Sequence, residues 1–75
     1  MQSDTAKFQK LLGARVRELR LARSFSQEEF ADACGLHRTH ISLLERGQIN
    51  VKVGTIRQVA HVLRISLSEL LQGLG

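Results

Sequence analysis

Cys34, His37 and His40 stand three residues apart in the stretch Cys34-Gly35-Leu36-His37-Arg38-Thr39-His40-Ile41-Ser42-Leu43-Leu44-Glu45-Arg46-Gly47. A thiol and two imidazoles at this spacing are the raw material of a zinc site. A cysteine near a histidine is also the pairing of a nucleophile with its base. Threaded between them are Arg38, Thr39, Ser42 and Arg46, whose guanidinium and hydroxyl groups are the donors that meet base edges and phosphates. Each chemistry makes a different demand on its surroundings.

Zinc demands a fourth ligand, and none is evident. Cys34 precedes a turn and reads as a small buried hydrophobe. His61 lies off the apolar face of its helix and reads as a surface residue. Catalysis lacks a deep cleft in so small a chain, an oxyanion hole and a Gly-rich phosphate loop. The sequence therefore predicts no enzyme, no catalytic residue, no metal and no cofactor.

The chain has 75 residues, one small domain near the lower limit for a self-supporting core. Hydrophobic residues make up 43%, enough to fold; the core must come from Leu, Ile, Val, Ala and three Phe, since Trp, Tyr and Pro are absent. The net charge is +4 and the pI about 10.2, a balance that suits a polyanionic partner and also plain solubility. A single cysteine allows no internal disulfide, which fits a reducing, cytoplasmic setting. No apolar run approaches a membrane span and no signal peptide is visible, so a soluble protein without membrane contact is expected.

Five helices are legible, at about 6–23, 27–33, 38–46, 53–63 and 67–72, with residues 1–5 expected to fray. Phe8, Leu12, Val16 and Leu19 form the apolar stripe of the first. Ser26 with Glu29, and Ser66 with Glu69, read as capping boxes at the starts of the second and fifth. Phe25 can staple on Phe30, Leu36 on Ile41, and Ile65 on Leu70. Gly35 suits the left-handed exit from the second helix. Val53, Ile56, Val59, Ala60 and Leu63 share one face of the fourth. Helices two and three are joined by about four residues including Gly35, the spacing of a helix-turn-helix.

On a helical wheel, Ile41 and Leu44 of helix three point inward, and Glu45 falls near the buried side, where it needs a cation. Thr39, Ser42, Leu43 and Arg46 point away; Arg38 sits on one flank of the first turn and His40 nearer the core edge on the other. The outward face matches what a major groove presents: Arg for guanine, hydroxyls for bases or phosphates, Leu43 for a thymine methyl.

Ser26-Gln27-Glu28-Glu29-Phe30-Ala31, Gly35-Leu36, Ile41-Ser42, Glu45-Arg46-Gly47 and Ile65-Ser66-Leu67-Ser68-Glu69-Leu70-Leu71, in this order and spacing, resemble the Cro/CI-type (XRE) helix-turn-helix repressors. The resemblance covers roughly Leu12 to Leu71. It implies an all-α, five-helix lambda-repressor-like domain. Within the family, Leu36-His37-Arg38-Thr39-His40-Ile41-Ser42 is most similar to the controller proteins of restriction–modification systems, small dimeric regulators of their own operon and of the endonuclease gene.

The resemblance also implies roles. Arg38, Thr39, His40, Ser42 and Leu43 fall in the base-reading region. Gln27, Arg46, Gln48, Asn50 and Lys52 match positions that grip phosphates, Gln27 also bracing the recognition helix. Arg20 and Glu45 match a structural ion pair. Four positions depart from the pattern: Ser24 replaces a usual glycine, Arg64 a common glycine or polar turn residue, His37 a hydroxylic cap, and Val51-Lys52 a Pro-Ser before helix four.

One such domain offers few base contacts, so a homodimer on a palindromic double-stranded DNA site is expected, half-sites about one helical turn apart. Ile49, Val51, Val62, Leu67, Leu71 and Leu74 are the apolar residues left for its interface. No small-molecule ligand is indicated. The competing reading is an antitoxin-like or co-regulator module that uses the same fold to bind a protein. RNA is disfavoured by the lack of exposed stacking aromatics.

Overall fold

Ser26 and Ser66 each open a helix by the same reciprocal device. The Glu29 amide donates to Ser26 Oγ at 3.0 Å, and the Ser26 amide donates to Glu29 Oε1 at 2.8 Å. At Ser66 and Glu69 both bonds measure 3.0 Å. His37 does the work of a hydroxyl at the third helix, its Nδ1 accepting from the Thr39 amide at 3.1 Å. An imidazole can cap in this way only when Nδ1 carries no proton.

The computed structural model describes residues 4–75. Its elements are α1 (Asp4–Ala22), α2 (Gln27–Cys34), α3 (Arg38–Glu45), α4 (Val53–Leu63) and α5 (Leu67–Leu71), with no strand among the described residues. Of the segment expected to fray, residues 1–3 lie outside the described part. Asp4 and Thr5 are helical, and the Asp4 carboxylate sits at the positive end of the α1 dipole. The other helix limits fall within one residue of the sequence expectation. Gly35 caps α2 with φ 69°, and Phe25 packs on Phe30 with ring centroids 5.5 Å apart.

Two of the positions that depart from the family pattern take the left-handed conformation. Ser24 after α1 has φ 61° and Arg64 after α4 has φ 60°. A side chain there carries strain of about 1 kcal/mol or more.

The core draws on every helix. Phe30, Ile41, Leu63, Leu70, Val16 and Val59 are its largest fully buried side chains. Leu12, Ala31, Cys34, Leu44, Ala60 and Leu74 complete it. The Cα radius of gyration is 11.5 Å, close to the ~11 Å of a compact chain this long.

Two placements differ from the sequence expectation. Val53, assigned to the apolar face of α4, is 66% exposed; it is the first residue of the helix and projects past the core that Val59, Ala60 and Leu63 enter. Leu74, assigned to a dimer surface, is only 8% exposed. After α5 the chain turns through Gly73, φ 77°, and Leu74 folds back onto the core.

Helix α1 is the backbone support of α3. A Cβ on Gly13 would lie 2.6 Å from the Glu45 carbonyl oxygen and closer still to that of Leu44. Only glycine lets the two helices meet at this distance. Gly47, at φ 70° just past α3, presses on Lys10 in the same way: a Cβ there would sit 2.7 Å from the Lys10 Cα.

Candidate nucleic-acid interface

Glu45 closes the buried side of α3. Arg20 Nε donates to its Oε2 at 2.6 Å and Arg20 Nη2 to its Oε1 at 3.1 Å, a two-point bond between side chains that are 6% and 2% exposed. Arg20 Nη1 also donates to the Phe25 carbonyl at 2.8 Å. Gln27 Nε2, from the first turn of α2, donates to Glu45 Oε1 at 3.1 Å. The last turn of α3 is thus tied to α1 and to the start of α2. The charge that the wheel left in need of a cation has one, with a neutral donor besides.

With its inner side fixed, α3 offers its outer side to solvent. Arg38 and Thr39 are exposed at the first turn, and Ser42 and Leu43 are half-buried in the middle. Arg46 is exposed at the end, its Nε donating to the Ser42 carbonyl at 3.4 Å. These five share one continuous face. A half-buried Leu43 also lowers the cost of an apolar residue there, since much of it is already out of water.

His40 fits the base-reading role less well. It is half-buried, and its Nε2 is shut off from solvent without a hydrogen-bond partner. That nitrogen faces the protein, so any reading of DNA by His40 falls to Nδ1. The wheel had placed it at the core edge; the core claims more of it than the resemblance implies.

Gln48, Asn50 and Lys52 are exposed in the connection to α4. The Gln48 amide donates to the Leu43 carbonyl at 3.0 Å, which anchors this connection to α3. Lys52 takes the N-cap position of α4 without a side-chain cap, leaving the first amides of that helix open to an anion. Gln27 is half-buried; its bond to Glu45 uses one hydrogen of its side-chain amide and leaves the other free to donate to a phosphate oxygen.

Ile49, Val51, Val62 and Leu71 are half-buried and lie against the core from outside. Leu67 is half-buried as well. Leu74, as described, belongs to the core and leaves this set. Sequence reasoning overlooked Leu11 and Leu21, 41% and 50% exposed. Their helical spacing from the α1 stripe was the available signal: Leu11 adjoins Leu12 off the face, and Leu21 follows the inward Arg20.

Cys34 is buried, and burial pushes its thiol up to about 11, far from the thiolate a nucleophile or metal ligand needs at neutral pH. Among the described residues no three of His, Cys, Asp and Glu are grouped to hold a metal ion. No described helix is long and apolar enough to cross a membrane.

A five-helix domain with α2 and α3 joined by a glycine turn, a locked inner side of α3 and a polar outer side defines a helix-turn-helix protein of the Cro/CI, or XRE, type. The pattern of the helix-turn-helix family HTH_3 matches residues 16–70, and the chain belongs to that family. It is 44% identical over 62 residues to the control protein C.BamHI of Bacillus amyloliquefaciens, covering 81% of this chain and 76% of that one. The crystal structure of the restriction–modification controller protein C.AhdI from Aeromonas hydrophila superposes with a TM-score of 0.85 at 39% identity, covering 92% of this chain and 99% of that one. SinR, the master regulator for biofilm formation, solved in complex with DNA, superposes with a TM-score of 0.76 at 29% identity over 81% of this chain and 98% of that one.

Proposed function

We propose that the protein is a homodimeric transcription regulator that reads a palindromic double-stranded DNA operator in the cytoplasm and controls a restriction–modification operon, its own gene included. The observation that carries this reading is the face of α3. Arg38, Thr39, Ser42, Leu43 and Arg46 lie together on it, while Arg20 and Gln27 hold Glu45 on the opposite side. A helix held this firmly can present its outer side to a groove without reorganising on contact. The relatives named control proteins support the assignment to a restriction–modification system.

Arg38 and Thr39 read bases at the N-terminal end of α3, with Ser42 and Leu43 deeper along it. Arg46, Gln48, Asn50, Lys52 and Gln27 bind phosphates on either side. Ile49, Val51, Val62, Leu67 and Leu71 pair two copies through the loop and helices α4 and α5.

Sedimentation of the purified protein at micromolar concentration, alone and with duplex DNA, tests the assembly. A dimer that binds DNA as a dimer is the expected result. A monomer in both conditions overturns the symmetric-operator reading. A dimer with no affinity for DNA favours the protein-interaction module instead.

A further inference from the structure

Helix α1 bonds to the DNA-facing half of the domain on one side and to the dimer-facing half on the other. Gly13 and Arg20, seven residues apart and so on one face, hold α3. Arg15 lies nearly opposite Gly13 on the helix and reaches α5: its Nη2 donates to the Gln72 carbonyl at 3.0 Å, and its Nη1 to those of Leu70 at 3.3 Å and Glu69 at 3.4 Å. Arg23, in the turn just past α1, reaches α4, its Nε donating to the Leu63 carbonyl at 2.6 Å, and its Nη1 holds it to α1 by donating to the Leu19 carbonyl at 3.4 Å.

The acceptors are carbonyls at the C-termini of α4 and α5, which no turn of helix follows; of these, the Glu69 carbonyl also accepts from the Gln72 amide at 3.4 Å. A guanidinium there satisfies them and meets the negative end of each helix dipole. The location matters more than the capping. Leu63 adjoins Val62, and the carbonyls of Leu70 and Gln72 flank Leu71. Both arginines therefore hold backbone next to residues of the proposed dimer surface. Neither has an acidic partner among the described ion pairs.

We propose that Arg15 and Arg23 are positioning residues that fix the angle between recognition helix and dimer surface, and so set the half-site spacing the protein accepts. This rests on the reading of a dimer through α4 and α5. Recognition helices in a dimer are rigidly spaced only if each protomer is rigid between its two interfaces. Here that rigidity passes through α1, whose tie to α3 is apolar, ionic and close, and whose tie to α4 and α5 includes these two guanidinium clamps. A lysine cannot replace Arg15, since an ammonium lacks the planar fork that spans several carbonyls.

The test uses a duplex series built on the operator selected from random DNA. The two half-sites stand at the selected spacing or one or two base pairs nearer or farther, and one duplex carries a single half-site. One base pair turns the second half-site by about 35°, so the wild type is expected to lose about tenfold affinity, the scale of a mismatch, per base pair displaced. Arg15→Met with Arg23→Met is expected to bind the single half-site within about twofold of wild type while its preference among spacings shrinks to within about threefold. Arg15→Lys alone, which keeps the charge, is expected to shift in the same direction, and it carries the test should the double variant not fold. Loss of affinity by the same factor on every duplex, or an unchanged spacing preference, overturns the proposal. A wild type that shows no spacing preference overturns the dimer reading itself, an outcome visible before any variant is compared.

Discussion

Gln27 Nε2 donates to Glu45 Oε1 across 18 residues of sequence, at 3.1 Å, and so joins the first turn of α2 to the last turn of α3. Arg20 bonds both oxygens of the same carboxylate from α1. Three helices therefore meet at one buried acid. Removing it strands a buried guanidinium, which costs about 3–5 kcal/mol. Glu45→Ala should lower the unfolding free energy by that amount in urea titration. Replacing both charges with Arg20→Met and Glu45→Leu should recover stability to within about 1–2 kcal/mol of wild type, since well-packed apolar pairs often match buried ion pairs. The double variant should still bind DNA less well, because Gln27 loses its anchor. Equal stability losses in the single and double variants would show that the pair is not a closed unit.

The capping boxes make the domain acid-sensitive in a defined direction. Bonds from the backbone and side chain of Ser26 hold the Glu29 carboxyl below its ordinary 4.5, and those of Ser66 do the same for Glu69. A depressed value means that the folded state favours the ionised form. The stabilisation is complete above 4.5 and is lost as pH falls from there through the folded-state values. Glutamine at the same position keeps a side-chain oxygen for the reciprocal bond and does not titrate. Glu29→Gln with Glu69→Gln should therefore flatten the fall of the thermal midpoint below about pH 4.5. An acid limb as steep as that of the wild type would mean that other carboxylates govern it.

Ser24 and Arg64 hold left-handed backbone without being glycine, at φ 61° and 60°. Glycine removes the steric strain and gives back part of the gain as chain entropy. Ser24→Gly and Arg64→Gly should each raise stability by about 0.5–1 kcal/mol. For a domain of this size, that is a few degrees of thermal midpoint by calorimetry. Lower midpoints in both would show that the side chains themselves, and not the backbone, are what these positions select.

Arg38 and Arg46 separate base reading from backbone binding. Arg38→Ala should leave the fold unchanged and cost about 1–3 kcal/mol of discrimination between operator and mutated operator. Arg46→Ala should weaken all sequences alike and reduce the slope of log affinity against log salt by about one. Competition binding at two salt concentrations distinguishes them. An Arg38→Ala protein that lost specific and non-specific binding equally would remove Arg38 from the base-reading set.

Local signals carried far in this chain. The Ser–x–x–Glu boxes, Gly35 and the Phe25–Phe30 staple each depend on residues within a few positions, and each is present in the fold. Glu45 was legible too, because a wheel places a charge on the inner side whatever lies opposite. What was not legible needed a third dimension. Leu74 follows the last helix, where no periodicity applies, and only the turn at Gly73 decides that it returns to the core. Val53 fits the α4 stripe in register and misses the core because the helix outruns it. His40 lies on a boundary, and a wheel cannot say which of two ring nitrogens faces the protein. The bonds of Arg15 and Arg23 were not legible because their acceptors, backbone carbonyls some 40 to 57 residues away, carry no side-chain signature.

The central claim is that α3 reads sequence as one of a symmetric pair. Selection of the purified protein on a random duplex pool, with affinity for the enriched sequence measured at two salt concentrations, addresses it most directly. The account predicts an enriched palindrome whose half-sites lie about one helical turn apart and whose affinity falls steeply with salt. Salt-sensitive binding with no enriched sequence would contradict it: α3 would then be a grip on the phosphate backbone and not a reader of bases.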